Sequence, residues 1–273
     1  MQPDLDTSAA RALLAFWRSA GVDMDLAEAV YAETPAASRQ AAPAPSAYRQ
    51  APPAARPVRR AAPAIAAGED ARRLAAAASN VAELRAAVEA FEGCALKATA
   101  RNTVFADGVE TAPVLLIGEA PGKDEDQAGK PFVGRSGQLL DRMLAQIGLD
   151  RRVNVLISNT IYWRPPGNRD PTPGEILACQ PFAERLVELA NPKLLILVGK
   201  AAAHTMLKRQ DGVLKLRGRR MRYDREGASI NAMVMLHPAY LLRQPQQKRL
   251  AWADLLSAES WLDELGVARA PLS

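Results

Sequence analysis

The sequence has few cysteines, few aromatic residues and no long apolar run. Its 273 residues include two cysteines, Cys94 and Cys179, and aromatic side chains make up 5% of the chain. Two cysteines cannot build the framework of a small disulfide-rich domain, and we expect both to remain thiols in a reducing compartment. Apolar runs such as those at 113–117 and 194–198 fall short of the roughly 18 residues of a membrane span. The sequence therefore predicts neither a disulfide nor a transmembrane helix.

The start of the sequence does not resemble a secretory signal, because Asp4 and Asp6 stand where basic residues would be expected and no apolar stretch follows. We therefore expect a cytoplasmic protein. Hydrophobic residues make up 48% of the chain, which is enough for one well-buried core and an appendage. A monomer is the default expectation.

Charge and proline content divide the chain into three parts. Residues 1–33 carry six acidic and two basic side chains, a net charge of −4, and form a predicted N-terminal helical element. Residues 34–68 carry five arginines and no acid, a net charge of +5, and their many prolines predict a disordered Pro/Ala/Arg linker. Residues 69–273 are the predicted globular domain. A tethered acidic helical element is suited to contact with a protein partner.

Apolar strands alternate with amphipathic helices in the globular domain. The predicted strands are 114–117, 153–157, 194–198 and 232–236. This alternation predicts a three-layer α/β/α fold with a central, mostly parallel, four-stranded sheet. In such sheets ligands bind at the carboxyl ends of the strands, so functional side chains are expected there.

Three of the predicted strands deliver polar groups at their carboxyl ends. The first runs into 118–122, the second into Asn159 and the fourth into 237–240. Each is weak evidence by itself, because a segment rich in glycine and proline is usually a turn and a lone histidine is more often structural. Parallel strands bring these ends to one edge, and their joint occurrence therefore predicts a single site.

A basic segment precedes the fourth predicted strand. Between residues 208 and 225, eight lysines and arginines are accompanied by only two acidic residues. This excess suits a phosphate backbone, whereas a solvated basic hairpin explains it equally well.

Five motifs follow one another in the globular domain: Gly-Glu-Ala-Pro-Gly at 118–122, Glu-Asp at 125–126, Gly-Lys-Pro-Phe-Val-Gly at 129–134, Arg-Pro-Pro-Gly-Asn-Arg at 164–169 and His-Pro-Ala-Tyr-Leu-Leu at 237–242. Together, and in this order, they resemble the motifs of family 4 uracil-DNA glycosylases. The similarity covers residues 93–265, and the shared order makes it specific where one motif would not be. The resemblance implies a DNA-repair enzyme that flips uracil out of DNA and hydrolyses its bond to deoxyribose, leaving an abasic site without cutting the strand.

The resemblance assigns three residues to the uracil. Phe132 resembles the aromatic platform of the family, with an ordinary core phenylalanine as the alternative. Asn159 resembles the residue that reads the pyrimidine edge, because one amide can donate to uracil O4 and accept from N3–H. A turn-forming asparagine is the alternative for Asn159. Glu125 matches a family position near the C5 side of the base. The resemblance implies this location for Glu125 but no particular role.

The resemblance also assigns the catalytic groups. His237 resembles the histidine that donates a hydrogen bond to uracil O2 as negative charge develops there. Glu119 and the backbone of Ala120 match the segment that positions the attacking water, and the Glu119 carboxylate would also favour a cationic sugar. Because position 120 has no side-chain acid, Glu119 is the nearest candidate general base in the sequence.

The DNA surface is predicted from the same motifs and from charge. The candidate contacts are Arg164, Arg169, Arg217, Arg219, Tyr240, Leu242 and Arg243. Residues 240–243 would supply a wedge and phosphate contacts for a kinked duplex. The alternative is a helix start that packs both of its leucines into the core.

The sequence departs from the family at the metal ligands. Most members bind a four-iron, four-sulfur cluster through four cysteines. Cys94 and Cys179 match the second and fourth ligand positions, whereas Phe91 and Trp163 stand at the first and third. Neither aromatic side chain can ligate iron, so the sequence predicts that the cluster is absent and that its volume is filled by the two rings. No other cofactor is predicted.

Two other functions are alternatives to the enzyme. The missing cysteines are compatible with a DNA-binding module that keeps the uracil pocket without turnover, although Glu119, Asn159 and His237 are retained. A relative that traps DNA covalently through an inserted histidine loop is disfavoured, because no histidine lies between Asn159 and Thr172.

Overall fold

A computed structural model of the protein describes residues 64–225 and 228–271. The predicted N-terminal helical element and nearly all of the predicted linker therefore lie outside the described residues. The end of that linker requires correction, because a helix, α1 (Ala64–Ala77), begins directly after Pro63 and buries Ala67 and Gly68. Alanine has the highest helix propensity, and the alanine-rich stretch becomes helical once the prolines end. The predicted boundary at residue 68 therefore lies inside a helix.

The fold is built around a mixed sheet of six strands. The strands are β1 (Ala106–Gly108), β2 (Val114–Gly118), β3 (Val155–Asn159), β4 (Leu194–Val198), β5 (Met221–Arg225) and β6 (Ala228–Met235). Their order across the sheet is β1-β3-β2-β4-β6-β5. The four central strands run parallel, and the two edge strands, β1 and β5, pair antiparallel with their neighbours.

The four predicted strands are the four parallel strands of this sheet, so the predicted α/β fold is confirmed. The predicted number of strands is wrong. β1 is only three residues long and β5 consists mainly of charged residues, so neither has an apolar pattern. β3 also begins later than predicted, because Val153 lies in a half-exposed turn.

Helices cover the sheet. Besides α1, they are α2 (Val81–Ala90), α3 (Lys123–Ala128), α4 (Arg135–Ala145), α5 (Pro173–Ala190), α6 (Lys200–Leu207), α7 (Val213–Leu216), α8 (Pro238–Arg243) and α9 (Lys248–Glu264). Every residue of β2, β3 and β4 is buried, as expected for strands covered on both faces. Leu115 and Ile117 of β2 belong to a buried cluster that includes Phe182 of α5. Among the described helices, none combines the length and the apolar character that a bilayer crossing needs.

The start of α5 has the capping residues that the sequence predicts. The Thr172 hydroxyl accepts a hydrogen bond from the backbone N–H of Glu175, and the Glu175 carboxylate accepts one from the backbone N–H of Thr172. Pro173 occupies the first turn, where its missing N–H costs nothing. This start fixes the end of the loop between β3 and α5.

The carboxyl ends of the parallel strands meet at one edge of the sheet. Gly118 at the end of β2 is in register with Asn159 at the end of β3, and Val198 of β4 is in register with Met235 of β6. His237 follows β6 closely in the sequence. The topology therefore brings together the three strand ends that the sequence singled out.

Candidate active site

A cavity of about 690 Å³ lies at this edge of the sheet. Most of the sequence-predicted site residues line it: Glu119, Ala120, Glu125, Phe132, Asn159, Arg169, His237 and Arg243. The other predicted residues, Arg164, Arg217, Arg219, Tyr240 and Leu242, are not part of its lining. The structure therefore gathers the predicted base-binding and catalytic groups, but only part of the predicted DNA surface.

Gly118 lies where the side chains of Phe132 and Asn159 approach each other. A Cβ atom on Gly118 would lie 2.5 Å from Oδ1 of Asn159 and 2.5 Å from Cζ of Phe132. The rings of Phe132 and His237 are 5.6 Å apart between centroids, with 31° between their planes. An aromatic ring, an amide and an imidazole thus border one space.

Asn159 carries a free hydrogen-bond acceptor at the cavity. Its side chain is almost fully buried, and Oδ1 has no hydrogen-bond partner among the described residues. A buried polar atom without a partner costs about 1–3 kcal/mol, and such atoms are rare in folded proteins. Oδ1 therefore lacks the hydrogen bond that a buried acceptor needs, and a donor on a bound ligand would satisfy it.

His237 is held in one tautomer by the start of α8. Its Nδ1 accepts a hydrogen bond from the backbone N–H of Ala239 at 3.1 Å, so the proton of the neutral ring resides on Nε2. Burial, and then the positive charge of Arg243, lower the pKa of His237 to about 4. Near neutral pH the ring is uncharged and offers an N–H donor at Nε2.

Glu119 borders the cavity directly after β2. Burial, and then the negative charge of Asp170, raise the pKa of the Glu119 carboxyl. Asp170 belongs to the loop between β3 and α5 and lines the same cavity. A carboxyl whose pKa is raised toward neutral pH is suited to accept a proton from water.

Glu125 has a structural contact that the sequence did not reveal. Its Oε1 accepts hydrogen bonds from the backbone N–H groups of Val133 at 2.9 Å and Gly134 at 2.8 Å, and its Oε2 accepts one from Gly122 at 3.1 Å. The carboxylate thus joins the loop after β2 to the loop that carries Phe132.

The segment after His237 divides its two leucines between core and surface. Leu241 is buried, whereas Leu242 is 36% exposed. Tyr240 is half-buried, and Arg243 is exposed at the cavity. The alternative in which both leucines pack into the core is therefore wrong.

The loop between β3 and α5 holds its two arginines by contacts within the chain. Nε of Arg164 donates to Oδ1 of Asn168 at 2.8 Å. Arg169 donates to both carboxylate oxygens of Glu175, at 2.8 and 2.6 Å, while 43% of its side chain remains exposed. Arg169 is therefore presented to the cavity in a fixed orientation.

Several arginines of the basic segment 208–225 are paired within the chain. Arg217, predicted to contact DNA, forms an ion pair of 2.7 Å with the buried Asp254 and also donates to the Leu250 carbonyl. Arg220 pairs with Glu264. The prediction for Arg217 is corrected on this ground, because its side chain is only 16% exposed and its guanidinium is enclosed by the buried Asp254 and the Leu250 carbonyl. Arg219 is exposed and remains a predicted contact.

The positions that correspond to the cluster ligands are filled by an apolar core. Cys94 and Cys179 are buried free thiols whose Sγ atoms lie 3.8 Å apart, a proximity that their sequence separation did not indicate. The rings of Phe91 and Trp163 are 6.5 Å apart, and Nε1 of Trp163 donates to the Thr103 hydroxyl at 3.0 Å. The described part of the chain contains no group of three or more His, Cys, Asp or Glu side chains arranged for a metal ion. The residues present do not fit a four-iron cluster.

Lys200 and Asp170 also line the cavity, and the sequence interpretation did not select them. Lys200 begins α6 directly after Gly199, at the end of β4. The rule that ligands bind at the carboxyl ends of parallel strands would have found Lys200. No such signal marks Asp170, because its position depends on the path of the loop between β3 and α5.

Comparison with known proteins identifies the family. A model of the uracil DNA glycosylase superfamily matches residues 105–256. The type-4 uracil-DNA glycosylase of Archaeoglobus fulgidus is 40% identical over 56% of this chain and 78% of its own length. The corresponding proteins of Saccharolobus solfataricus and Thermotoga maritima are 37% and 34% identical, over 76% and 90% of their lengths and 59% and 63% of this chain. The strand-end motifs, the cavity that they form and these matches agree: the chain belongs to the uracil-DNA glycosylase superfamily.

Proposed function

We propose that this chain is a DNA-repair enzyme, a uracil-DNA glycosylase that hydrolyses the N-glycosidic bond of a flipped-out uracil and leaves an abasic site. The observation that carries the proposal is that Phe132 and Asn159 approach each other at Gly118, that the ring of His237 lies beside that of Phe132, and that all three side chains line one cavity. The similarity to proteins named for this activity, over 78% and 90% of their lengths, supports it.

In this proposal the three side chains bind the extruded base. Uracil stacks on Phe132, and the Asn159 amide donates to O4 and accepts from N3–H. The unpartnered Oδ1 of Asn159 supports this assignment, because N3–H would satisfy it. Cytosine presents the reverse pattern at its edge and is rejected by an amide held in this orientation.

Bond cleavage places negative charge on the departing uracil and positive charge on the sugar. Nε2–H of His237 donates to uracil O2 and stabilises the negative charge. The tautomer fixed by Ala239 supports this role, because the donor is in place before the reaction begins. Glu119, with the Ala120 backbone, positions the attacking water, and its carboxylate stabilises the cationic sugar.

The pKa of Glu119 is expected to set the acidic limb of the pH–rate profile. If the carboxylate is the active form, the rate falls as the pH drops through a pKa that is raised above the ordinary value of glutamate. Asp170→Asn removes a negative charge that contributes to this raised pKa, so we expect the limb to move to lower pH. Single-turnover rates across the acidic range measure the shift. A limb that stays in place, or moves to higher pH, contradicts the role of Glu119.

Gly118 is expected to tolerate no side chain. A methyl group on Gly118 would displace Phe132 or Asn159, so Gly118→Ala should slow uracil release at least about tenfold, since misplacement by 1 Å can cost about a hundredfold. Gly212→Ala is the matched control, because a Cβ there meets nothing within 4 Å. Equal rates of release for both variants would remove the structural basis of the proposed base pocket.

The proposed DNA surface surrounds the cavity mouth. Leu242 is the candidate wedge, and the exposed Arg243 the candidate phosphate contact beside the flipped nucleotide. Arg164, Arg169, Arg219 and Tyr240 complete the proposed surface.

We also propose that the chain folds without an iron–sulfur cluster. Burial of Phe91 and Trp163 contributes about 1.5–3 kcal/mol for each ring and replaces the metal–ligand bonds. We expect the purified protein to contain less than about a tenth of an iron atom per chain and to melt at the same temperature with and without an iron chelator. A brown protein with near-stoichiometric iron and sulfide would contradict this.

Uracil release from DNA tests the proposed function. An oligonucleotide with a single uracil should yield free uracil and a strand that breaks only after alkali treatment, whereas the same oligonucleotide with thymine should remain intact. DNA binding without an abasic product would instead support the DNA-binding module. Strand cleavage without alkali would contradict the monofunctional chemistry.

Three expectations from the sequence stay predictions. They are a monomeric state, a cytoplasmic location and a protein partner for residues 1–33. The helix α1 places the boundary for a truncation at residue 63. Unchanged uracil release after removal of residues 1–63 would assign that region to recruitment and not to catalysis.

A further inference from the structure

Arg151 contacts the backbone of Phe132 and of the residue before it. It lies between α4 and β3, outside the cavity lining, and only 13% of its side chain is exposed. Its Nη1 donates to the carbonyl of Pro131 at 3.0 Å, and its Nη2 donates to the carbonyl of Phe132 at 2.8 Å. Arg151 therefore binds the loop through two backbone carbonyls without lining the cavity.

The Arg151 guanidinium is itself held by two carboxylates. Nη1 also donates to Asp107 of β1 at 3.1 Å, while Nη2 and Nε donate to Asp141 of α4 at 2.8 and 3.0 Å. These contacts use all the N–H donors that a guanidinium has. Lysine, a point charge with one nitrogen, cannot reproduce this planar arrangement.

The loop needs such support, because Phe132 has a strained backbone. Its φ of 53° is left-handed, which costs a bulky residue about 1–3 kcal/mol and persists only where the surroundings impose it. The Phe132 carbonyl packs so closely on Gly137 of α4 that a Cβ there would lie 2.0 Å from the oxygen. Glu125 holds the N–H groups of Val133 and Gly134, and Arg151 holds the preceding carbonyls.

We infer that Arg151 is a positioning residue that sets the ring of Phe132 against the flipped base. Arg151 does not line the cavity, so its effect on turnover passes through the Phe132 backbone. This role rests on the proposed function, because it assigns the support of the same stacking residue.

A double-mutant cycle with Phe132 tests this inference. Arg151→Lys keeps the positive charge but loses the planar set of N–H donors. We expect it to lower the single-turnover rate of uracil release about tenfold. In a Phe132→Leu background the same change should cost less than about twofold, because there is no ring left to position. Arg152→Lys is the matched control: its side chain is 76% exposed and pairs with Asp150, and its rate should match that of the unchanged protein.

An equal loss in both backgrounds would overturn the inference, because Arg151 would then act independently of Phe132. Hydrogen–deuterium exchange of the peptide that contains Val133 and Gly134 supplies a readout that needs no substrate. Faster exchange in Arg151→Lys, but not in Arg152→Lys, is expected, and unchanged exchange would overturn the inference. If the unchanged protein released no uracil, the proposed function would fail while the exchange result still decided whether Arg151 orders this loop.

Discussion

Replacement of His237 by alanine is expected to lower the single-turnover rate of uracil release by about a hundredfold to a thousandfold, the usual loss when one donor to a developing anion is removed. The Nε2–H donor is present in the resting protein, because Ala239 fixes the tautomer and burial keeps the ring neutral. The charge that it stabilises appears only as the bond breaks. Affinity for DNA should therefore change much less than the rate, as measured by electrophoretic mobility.

The second histidine of the chain supplies the control for this variant. His204 also lines the cavity, but its Nε2 is engaged with the Asp211 carbonyl at 2.9 Å, so His204→Ala should have a much smaller effect. The rate of the unchanged protein should also show no step near pH 6.5, the ordinary pKa of histidine, because that of His237 is lowered to about 4. Equal losses in the two variants would contradict the assignment of His237.

Asn159→Asp is expected to shift the preference of the protein from uracil toward cytosine by at least about a hundredfold, mainly by loss of uracil release. A carboxylate has no donor for uracil O4 and leaves two acceptors facing each other. A buried, protonated carboxyl can donate to cytosine N3 and accept from its amino group. Release from matched oligonucleotides with uracil or cytosine measures the preference.

Asn159→Leu separates hydrogen bonding from packing at the same position. Leucine has a similar size but neither donor nor acceptor, so uracil release should fall without any gain toward cytosine. If the aspartate and leucine variants lost the same activity and showed the same preference, Asn159 would contribute shape and not the reading of the base.

The position of the site could be predicted from the sequence because it depends on the ends of buried parallel strands. Such strands are short apolar runs, and their carboxyl ends meet at one edge. Gly118 and Asn159 lie side by side there for that reason. His237 follows β6, which is separated from β2 by β4 alone. The roles of these residues required more than this pattern, and the resemblance to known glycosylases supplied them.

Contacts between segments that lie far apart along the chain could not be predicted from the sequence. The edge strands β1 and β5 are defined by their partners and have no apolar pattern of their own. Arg217 was predicted to belong to a basic surface, but in the structure it pairs with Asp254 of α9, a contact that the sequence does not indicate. Arg151 and Arg152 are indistinguishable in sequence, yet one is buried against two carbonyls and the other is exposed.

The positions that match the cluster ligands of the family also have contacts that the sequence could not predict. The resemblance showed which two ligand cysteines this sequence lacks, and the proposal that the chain has no cluster rests on that chemistry. It did not indicate that Phe91 would pack edge-on against Phe182 with ring centroids 5.2 Å apart. These contacts arise from the packing of α5 against the residues that follow α2.

A crystal structure with an oligonucleotide that contains 2′-deoxypseudouridine tests the central claim most directly. Its carbon–carbon bond to the sugar is not hydrolysed, and its pyrimidine edge offers the same sequence of oxygen, imino N–H and oxygen as uracil. We expect the base outside the helix, stacked on Phe132, with the Asn159 amide on its imino edge and Nε2 of His237 within hydrogen-bond distance of a carbonyl oxygen. A base that remains stacked in the DNA, or that occupies a space not shared by these three side chains, would contradict the account.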